Sequence, residues 1–361
     1  MPSLDSFNAF VKSTGVKIAT DPDTIINDAT KNTYMLGRML KGRDAAQSVQ
    51  SGQKIVDRIM LTDSGTATFY HPNEDLDIQN VDNLVSIEVD WRFIADHYSY
   101  TQQEVTLNSG DPQTYYKNLL KSKRQACATS MYNRMEVGLW DIPSNSQMES
   151  SSGKLPYSIP AFITTDGLAP TGFTTIETLS PDDNTGFRNQ TETYDPSNLT
   201  DTADGVVRAM DRMWHKVRFI SPRTQQEYFE SDLLQKMVIA TNLDGVTMIQ
   251  SLTRDSNDRL APANNLGWVA GNVSYSGLPI EYISELDTAL INAGAVIPTG
   301  EPWFFYINLM YLYPIFHTEK YMLEEEPLRH PRQPFSYVVW KQTYYNLFCA
   351  SRRRQGLISA A

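Results

Sequence analysis

The feature that most limits the fold is a strict alternation beginning at Leu84. Val85, Ile87, Val89, Trp91 and Phe93 fall on one side, and Ser86, Glu88, Asp90 and Arg92 on the other. A period of two is what a half-buried strand requires. Upstream, Lys54 to Tyr70 carries Ile55, Val56, Ile59, Thr66, Thr68 and Phe69, with a turn at Asp63-Ser64-Gly65. These β-branched and aromatic residues favour extended backbone. Between the two runs lies His71 to Asn83, acidic and polar, which no core can take in. Two long strands with a polar tip, spanning Lys54 to Val105, predict a projecting hairpin. A two-stranded ribbon is marginal in water unless something covers its apolar face. The expected cover is another copy of the same chain.

Around that finger the pattern changes. Residues 1 to about 50 scatter apolar positions such as Phe7, Phe10, Met35, Leu36, Met39 and Leu40 among polar runs, enough for short helical pieces. Such an arm must lie on other structure to offset its ordering entropy. The clearest helix runs from Asp111-Pro112, a cap and first-turn pair, to Trp140, about 45 Å at ~1.5 Å per residue. Ile142-Pro143 stops it. Residues 144 to 201, rich in Ser, Thr, Asn, Asp, Gly and Pro, predict loops and short strands. Further helices are expected over Ala203–Phe219 and Thr224–Ile239. Strands are expected at Val273–Ile283, as a strand-turn-strand, and at Trp303–Asn308, Ile315–Glu319 and Tyr337–Ser351, the last running into Arg352-Arg353-Arg354.

The 361 residues are 41% apolar and 20% charged, sufficient for a sizeable core. A formal charge of −11 and a pI near 5.0 argue against a chain that grips nucleic acid, which needs clustered Lys and Arg. Nineteen Tyr, 14 Phe and 6 Trp suit interfaces as well as interiors. Cys127 and Cys349 have no partner at metal-ligand spacing, and buried free thiols are expected. No signal peptide or membrane-length apolar run is visible. Nucleotide-binding glycine loops, Gly-x-Ser-x-Gly, His-Glu-x-x-His and paired Cys-x-x-Cys are all absent, so no catalytic residue, cofactor or metal site is expected. The five histidines are scattered, and the acidic runs Asn73–Asp77 and Asp182-Asp183-Asn184 lack the spacing of a calcium loop. The Asn-x-Ser/Thr triplets at Asn189, Asn198 and Asn272 read as ordinary loop residues. Arg352 to Arg354 are expected to pair with Glu324, Glu325 and Glu326.

Arm, two-stranded finger, long helix, central α/β region and closing strands, in that order, resemble the major capsid proteins of tailed bacteriophages with the Hong Kong 97-type fold. Stretches that look like the family are Asp57-Arg58-Ile59, Leu84–Tyr100, the helix through Tyr132-Asn133-Arg134, Val273–Leu286, and Tyr344–Cys349 running into Arg352-Arg353-Arg354. The resemblance implies an α+β fold: N-terminal arm 1–50, extended hairpin loop 51–105, peripheral domain with spine helix 106–145, and loop-rich insertion 146–201. A mainly axial domain with part of the peripheral domain at 202–300, and C-terminal strands 301–361 returning to the peripheral domain, complete it. It further implies homo-oligomeric pentamers and hexamers of an icosahedral shell enclosing double-stranded DNA without sequence-specific binding. Subunit contacts are expected at Asp57, Arg58, Phe69, Tyr70, Trp91, Arg352, Arg353 and Arg354. A separate scaffolding protein, a portal and a decoration protein are the further candidate partners, with assembly in the host bacterial cytoplasm. Met1 and the lack of a leading Glu-, Lys- and Ala-rich segment favour the separate scaffold. The alternatives are a nanocompartment shell of the same fold and, from another class, a β-rich carbohydrate-active or carbohydrate-binding protein.

Overall fold

A computed structural model describes residues 35–41, 47–49, 52–61, 65–72, 84–107, 119–197, 205–218, 236–257, 266–269, 272–287, 291–292, 295–296 and 301–361. Most of the expected arm, the tip 73–83, the helix start at Asp111-Pro112 and residues 224–235 lie outside these residues. The helices are α1 (Met35–Lys41), α2 (Gln102–Leu107), α3 (Leu119–Leu139), α4 (Asn145–Met148), α5 (Ile159–Phe162), α6 (Val206–Val217) and α7 (Leu243–Asn257). The first strands are β1 (Gln47–Val49), β2 (Lys54–Met60), β3 (Leu84–Asp90), β4 (Arg92–Thr101), β5 (Gln190–Tyr194) and β6 (Met237–Thr241). They are followed by β7 (Leu266–Val269), β8 (Asn272–Tyr275), β9 (Leu278–Tyr282), β10 (Ile291–Asn292), β11 (Ala295–Val296) and β12 (Phe304–Asn308). The chain closes with β13 (Leu312–His317), β14 (Leu323–Glu324), β15 (Leu328–His330), β16 (Gln333–Cys349) and β17 (Gly356–Ala360).

A seven-stranded sheet in the order β5-β17-β12-β6-β9-β8-β7 forms one layer system. Its central strands β6 and β12 are buried at every position. Met237, Ile239, Phe304 and Tyr306 face a cluster with Val206, Met210 and Met213 of α6, while Val238, Ala240, Phe305 and Ile307 face the larger core. Two-sided burial explains why Met237–Thr241 carries no alternation, and why extending a helix through Ile239 misread a strand. Gly356 is required where α6 presses on β17, since a Cβ there would meet Met213 Sδ at 2.3 Å. The expected strand-turn-strand is β8 and β9, joined at Ser276-Gly277 with φ of 48° and 81°.

The second sheet is organised on the 17-residue β16, which pairs β13 on one edge and β4 along ten positions from Ser336↔Thr101 to Tyr345↔Arg92. The closing residues, expected to return to the domain of the long helix, divide between the sheets: β13 and β16 enter this one, β12 and β17 the other. Helix α3, 21 residues and about 31 Å at ~1.5 Å each, lies on β4 and buries Cys127, Met131 and Met135 at successive four-residue steps. Lys123 ties it down, donating to the Ser99 carbonyl at 3.0 Å and to Glu104. Ser130 and Arg134, one residue before Met131 and Met135, are exposed.

The run from Leu84 breaks in two. Strand β3 pairs only β2, in a separate two-stranded sheet, whereas β4 belongs to β16. Ile87, Val89 and Trp91 are buried on odd positions, but past Trp91 the phase flips: Arg92 is buried and Phe93 exposed. One residue outside both ladders suffices to reverse the faces. The second strand of the finger therefore ends at Asp90, not near Val105.

Candidate assembly surface

The finger is the ribbon of β2 and β3, in register from Lys54↔Asp90 to Met60↔Leu84. Its root is part of the body: Ile55, Ile87 and Val89 are buried in the main core. Trp91 Nε1 donates to the Gly52 carbonyl at 3.0 Å, pinning the start of one strand to the end of the other. On the outer face Lys54 bridges Glu88 at 3.1 Å, with Asp90 beyond it. The Glu88 hydrogen bond, helped by the Asp90 charge, pushes the Lys54 ammonium above its ordinary range. Toward the other end Ile59, Leu61 and Val85 also pack, half-buried, on that core, so the uncovered apolar residues lie on the opposite face of the ribbon. Val56 is 55% exposed, and the directly paired Met60 and Leu84 are 66% and 55% exposed. Beyond the strand, Phe69 and Tyr70 stand wholly or largely in solvent.

A second apolar face lies on the β4–β16 pair, opposite α3. Phe93 stacks edge-on against Tyr344 at 4.5 Å, and His97 tilts against Trp340 at 4.8 Å. Phe93, Trp340, Leu323 and Leu328 are exposed there. Contiguous exposed apolar residues on a soluble chain mark interaction surfaces.

Both surfaces rest on buried charged side chains that serve backbone groups. Arg92 donates from Nε to Leu155 O at 3.0 Å and from Nη2 to Met148 O and Ser150 O at 2.6 and 2.8 Å. Arg352, fully buried, donates to the carbonyls of Phe162, Phe187 and Leu168 and to Asn189 Oδ1, and its guanidinium covers the Phe187 ring. Burial lowers Arg352 to about 10, with Cys349, Glu177 and Asp166 acting the other way. Glu136 on α3 accepts the N–H groups of Met35 and Leu36 at 3.0 and 2.8 Å, so a side chain about a hundred residues downstream caps the first turn of α1. Arg38 of the same helix pairs with Glu281 on β9.

Against this geometry the expected contact residues separate into two groups. Asp57, Arg58, Phe69, Tyr70 and Arg353 are exposed, and Arg354 is half-buried over the Tyr311 ring. Trp91 and Arg352 are interior braces and present no surface to a partner. Nor do Glu324 and Glu325 pair with the arginine run: Glu324 bonds Arg124 and Tyr98, and Glu325 accepts from Gln342. Asn189, expected as an ordinary loop residue, is a buried hub between Thr164 and Arg352. Residues missed by the sequence reading are Met60 and Leu84 on the finger and Phe93 and Trp340 on the sheet. The signal for Met60 and Leu84 was available, because both sit on the wet side of otherwise alternating strands. Among the described residues, no group of His, Cys, Asp or Glu could hold a metal ion, and no helix is long and apolar enough to cross a membrane.

No family model and no curated protein matches the sequence. Solved structures do. A subunit of the cyanophage A-1(L) capsid superposes with a TM-score of 0.56 at 10% identity, covering 96% of this chain and 98% of that one. The fold is the Hong Kong 97-type capsid fold. The mature capsid of bacteriophage PhiM1 matches with a TM-score of 0.50 at 12% identity over 94% and 91% of the two chains. The capsid of an empty GTA particle gives 0.51 at 10% identity over 96% and 99%. In each case the match runs nearly end to end, so the two sheets, the long helix and the finger are compared as one arrangement.

Proposed function

We propose that the chain is the major capsid protein of a tailed phage and catalyses nothing. Its copies join as pentamers and hexamers of an icosahedral shell that encloses double-stranded DNA. In this reading α3 is the spine of the peripheral domain, and the seven-stranded sheet belongs chiefly to the axial domain. The finger, with Asp57, Arg58, Phe69, Tyr70 and Arg353 available at its surface and root, reaches a neighbouring copy. Closed rings of like subunits use two different patches on each copy, a projecting element and a receiving face. The observation that carries the proposal is the uncovered apolar outer face of a ribbon whose inner face is anchored in the core, on a chain that follows capsid subunits over almost its whole length. A separate scaffolding protein would direct closure, with portal and decoration proteins added in the host cytoplasm.

Electron microscopy and light scattering of the expressed protein, alone and with a candidate scaffold, test this. Particles of tens of nanometres are expected. A monomer that persists across protein concentration contradicts the proposal. Nuclease-protected double-stranded DNA in native particles supports a genome container, whereas a stoichiometric protein cargo contradicts that part and favours a nanocompartment.

A further inference from the structure

A tight turn at Ile176–Leu179 sits against the root of the finger. Ile176 and Leu179 exchange both backbone hydrogen bonds, at 2.8 and 3.0 Å, so only Glu177 and Thr178 make the reversal. Their φ angles are 52° and 69°. Consecutive left-handed residues are normal for Asn-Gly or Gly-Gly, and Thr, being β-branched, is among the least suited to them. The strain persists because neighbours hold the turn. The Glu177 carbonyl accepts the Glu88 N–H of β3 at 3.1 Å, its Oε1 accepts the Cys349 N–H of β16 at 2.8 Å, and its own N–H faces Tyr157 Oη at 3.4 Å. The side chain is fully buried, and its Oε2 has no hydrogen-bond partner among the described residues. A buried carboxylate oxygen left bare is costly, whereas a protonated one is tolerated.

We propose that Glu177 and its strained turn form a proton-held latch at the root of the finger, closed while the carboxyl carries its proton and released when the proton is lost. This goes beyond the shell-building role and does not depend on it. The charged and titratable groups facing Glu177 are Asp57 on β2, Cys349 on β16, Arg352 after β16, and Tyr157 ahead of α5. Burial, reinforced by Asp57, raises the carboxyl to about 8, against the Cys349 N–H and Arg352, which lower it. A carboxyl whose pKa is raised in the closed form stabilises that form fully below its ordinary value of about 4.5, and the stabilisation fades as pH rises toward 8. Cys349 and Tyr157 are pushed up by burial and Arg352 lies at about 10, so none of these three titrates inside that window.

Hydrogen exchange of the full chain between pH 5 and 9, with rates corrected for intrinsic chemistry, tests the latch at Leu84–Asp90 and Ile176–Leu179. In the wild type the opening constant is expected to rise about tenfold per pH unit and level off near pH 8, one proton leaving per opening. In Glu177→Gln it is expected to stay flat. A flat wild-type profile, or an unchanged slope in Glu177→Gln, overturns the proposal. Should Glu177→Gln not fold, Asp57→Asn, at an exposed position, supplies the test. Removing that charge moves the plateau to lower pH; a plateau that does not move overturns the proposal.

Discussion

The finger and the segment from Ser144 to Asn189 are opposites. The finger has a regular ladder of paired strands and leaves its outer apolar side chains in water. The segment has only two four-residue helices, a short 3-10 turn and one isolated bridge, yet Ile159, Ala161, Phe162, Ile163 and Ile176 are fully buried. Regular backbone satisfies its own polar groups and can project; irregular backbone can be buried only if side chains from elsewhere satisfy it. Here Arg92, Arg352, Asn189 and Asn346 do so. Asn346 accepts the Tyr157 N–H and donates to the Asp90 carbonyl, joining the buried segment to the root of the finger.

Damage should therefore fall most heavily where backbone depends on a single side chain. Arg352→Ala orphans the carbonyls of Phe162 and Phe187 and leaves Leu168 and Asn189 with Thr164 alone, and is expected to cost about 3–5 kcal/mol in urea unfolding. Arg352→Lys should recover only part of this loss, because a point charge cannot reproduce the fork. Arg92→Met follows, at about 2–4 kcal/mol in the same measurement. Glu136→Ala removes the acceptor for Met35 and Leu36. It should cost about 1–3 kcal/mol and accelerate hydrogen exchange at Met35–Lys41 before any change in the seven-stranded sheet. At the small end, Met60→Ser and Leu84→Ser should leave subunit stability within about 0.5 kcal/mol, while particle yield by sedimentation collapses. If either serine variant destabilised the isolated subunit as Arg92→Met does, the contrast between the two regions would fail.

Elements with one wet face were legible in the residues. The Ile87, Val89 and Trp91 face, the helix expected within Ala203–Phe219 and the β8–β9 strand-turn-strand all lie where the residues placed them. Elements buried on two sides were not, because Met237–Thr241 shows no period to read. Helix α7 was missed although Asn242 caps it, Oδ1 accepting the Gly245 N–H at 2.9 Å. Strand β17 is a five-residue inner strand between β5 and β12, hidden behind an arginine run whose first member points inward. Of the expected contact residues, Asp57, Arg58, Phe69 and Tyr70 lie at exposed positions. The inward Arg352 was not foreseen, since composition favours charge outside and cannot indicate which carbonyls need donors, and Trp91, expected both on the strand's apolar face and at a subunit contact, takes the first role. The phase flip at Trp91–Arg92 likewise depends on which strands pair, a tertiary choice that alternation alone does not encode.

The central claim is that the finger's outer side chains are sheltered by another copy. Hydroxyl-radical footprinting of dissociated subunits and of assembled particles, read residue by residue, tests it directly. Met60, Phe69, Tyr70 and Leu84 should be modified readily in subunits and severalfold less in particles, with Met135 protected in both. Equal modification of the finger in subunits and particles would contradict the account.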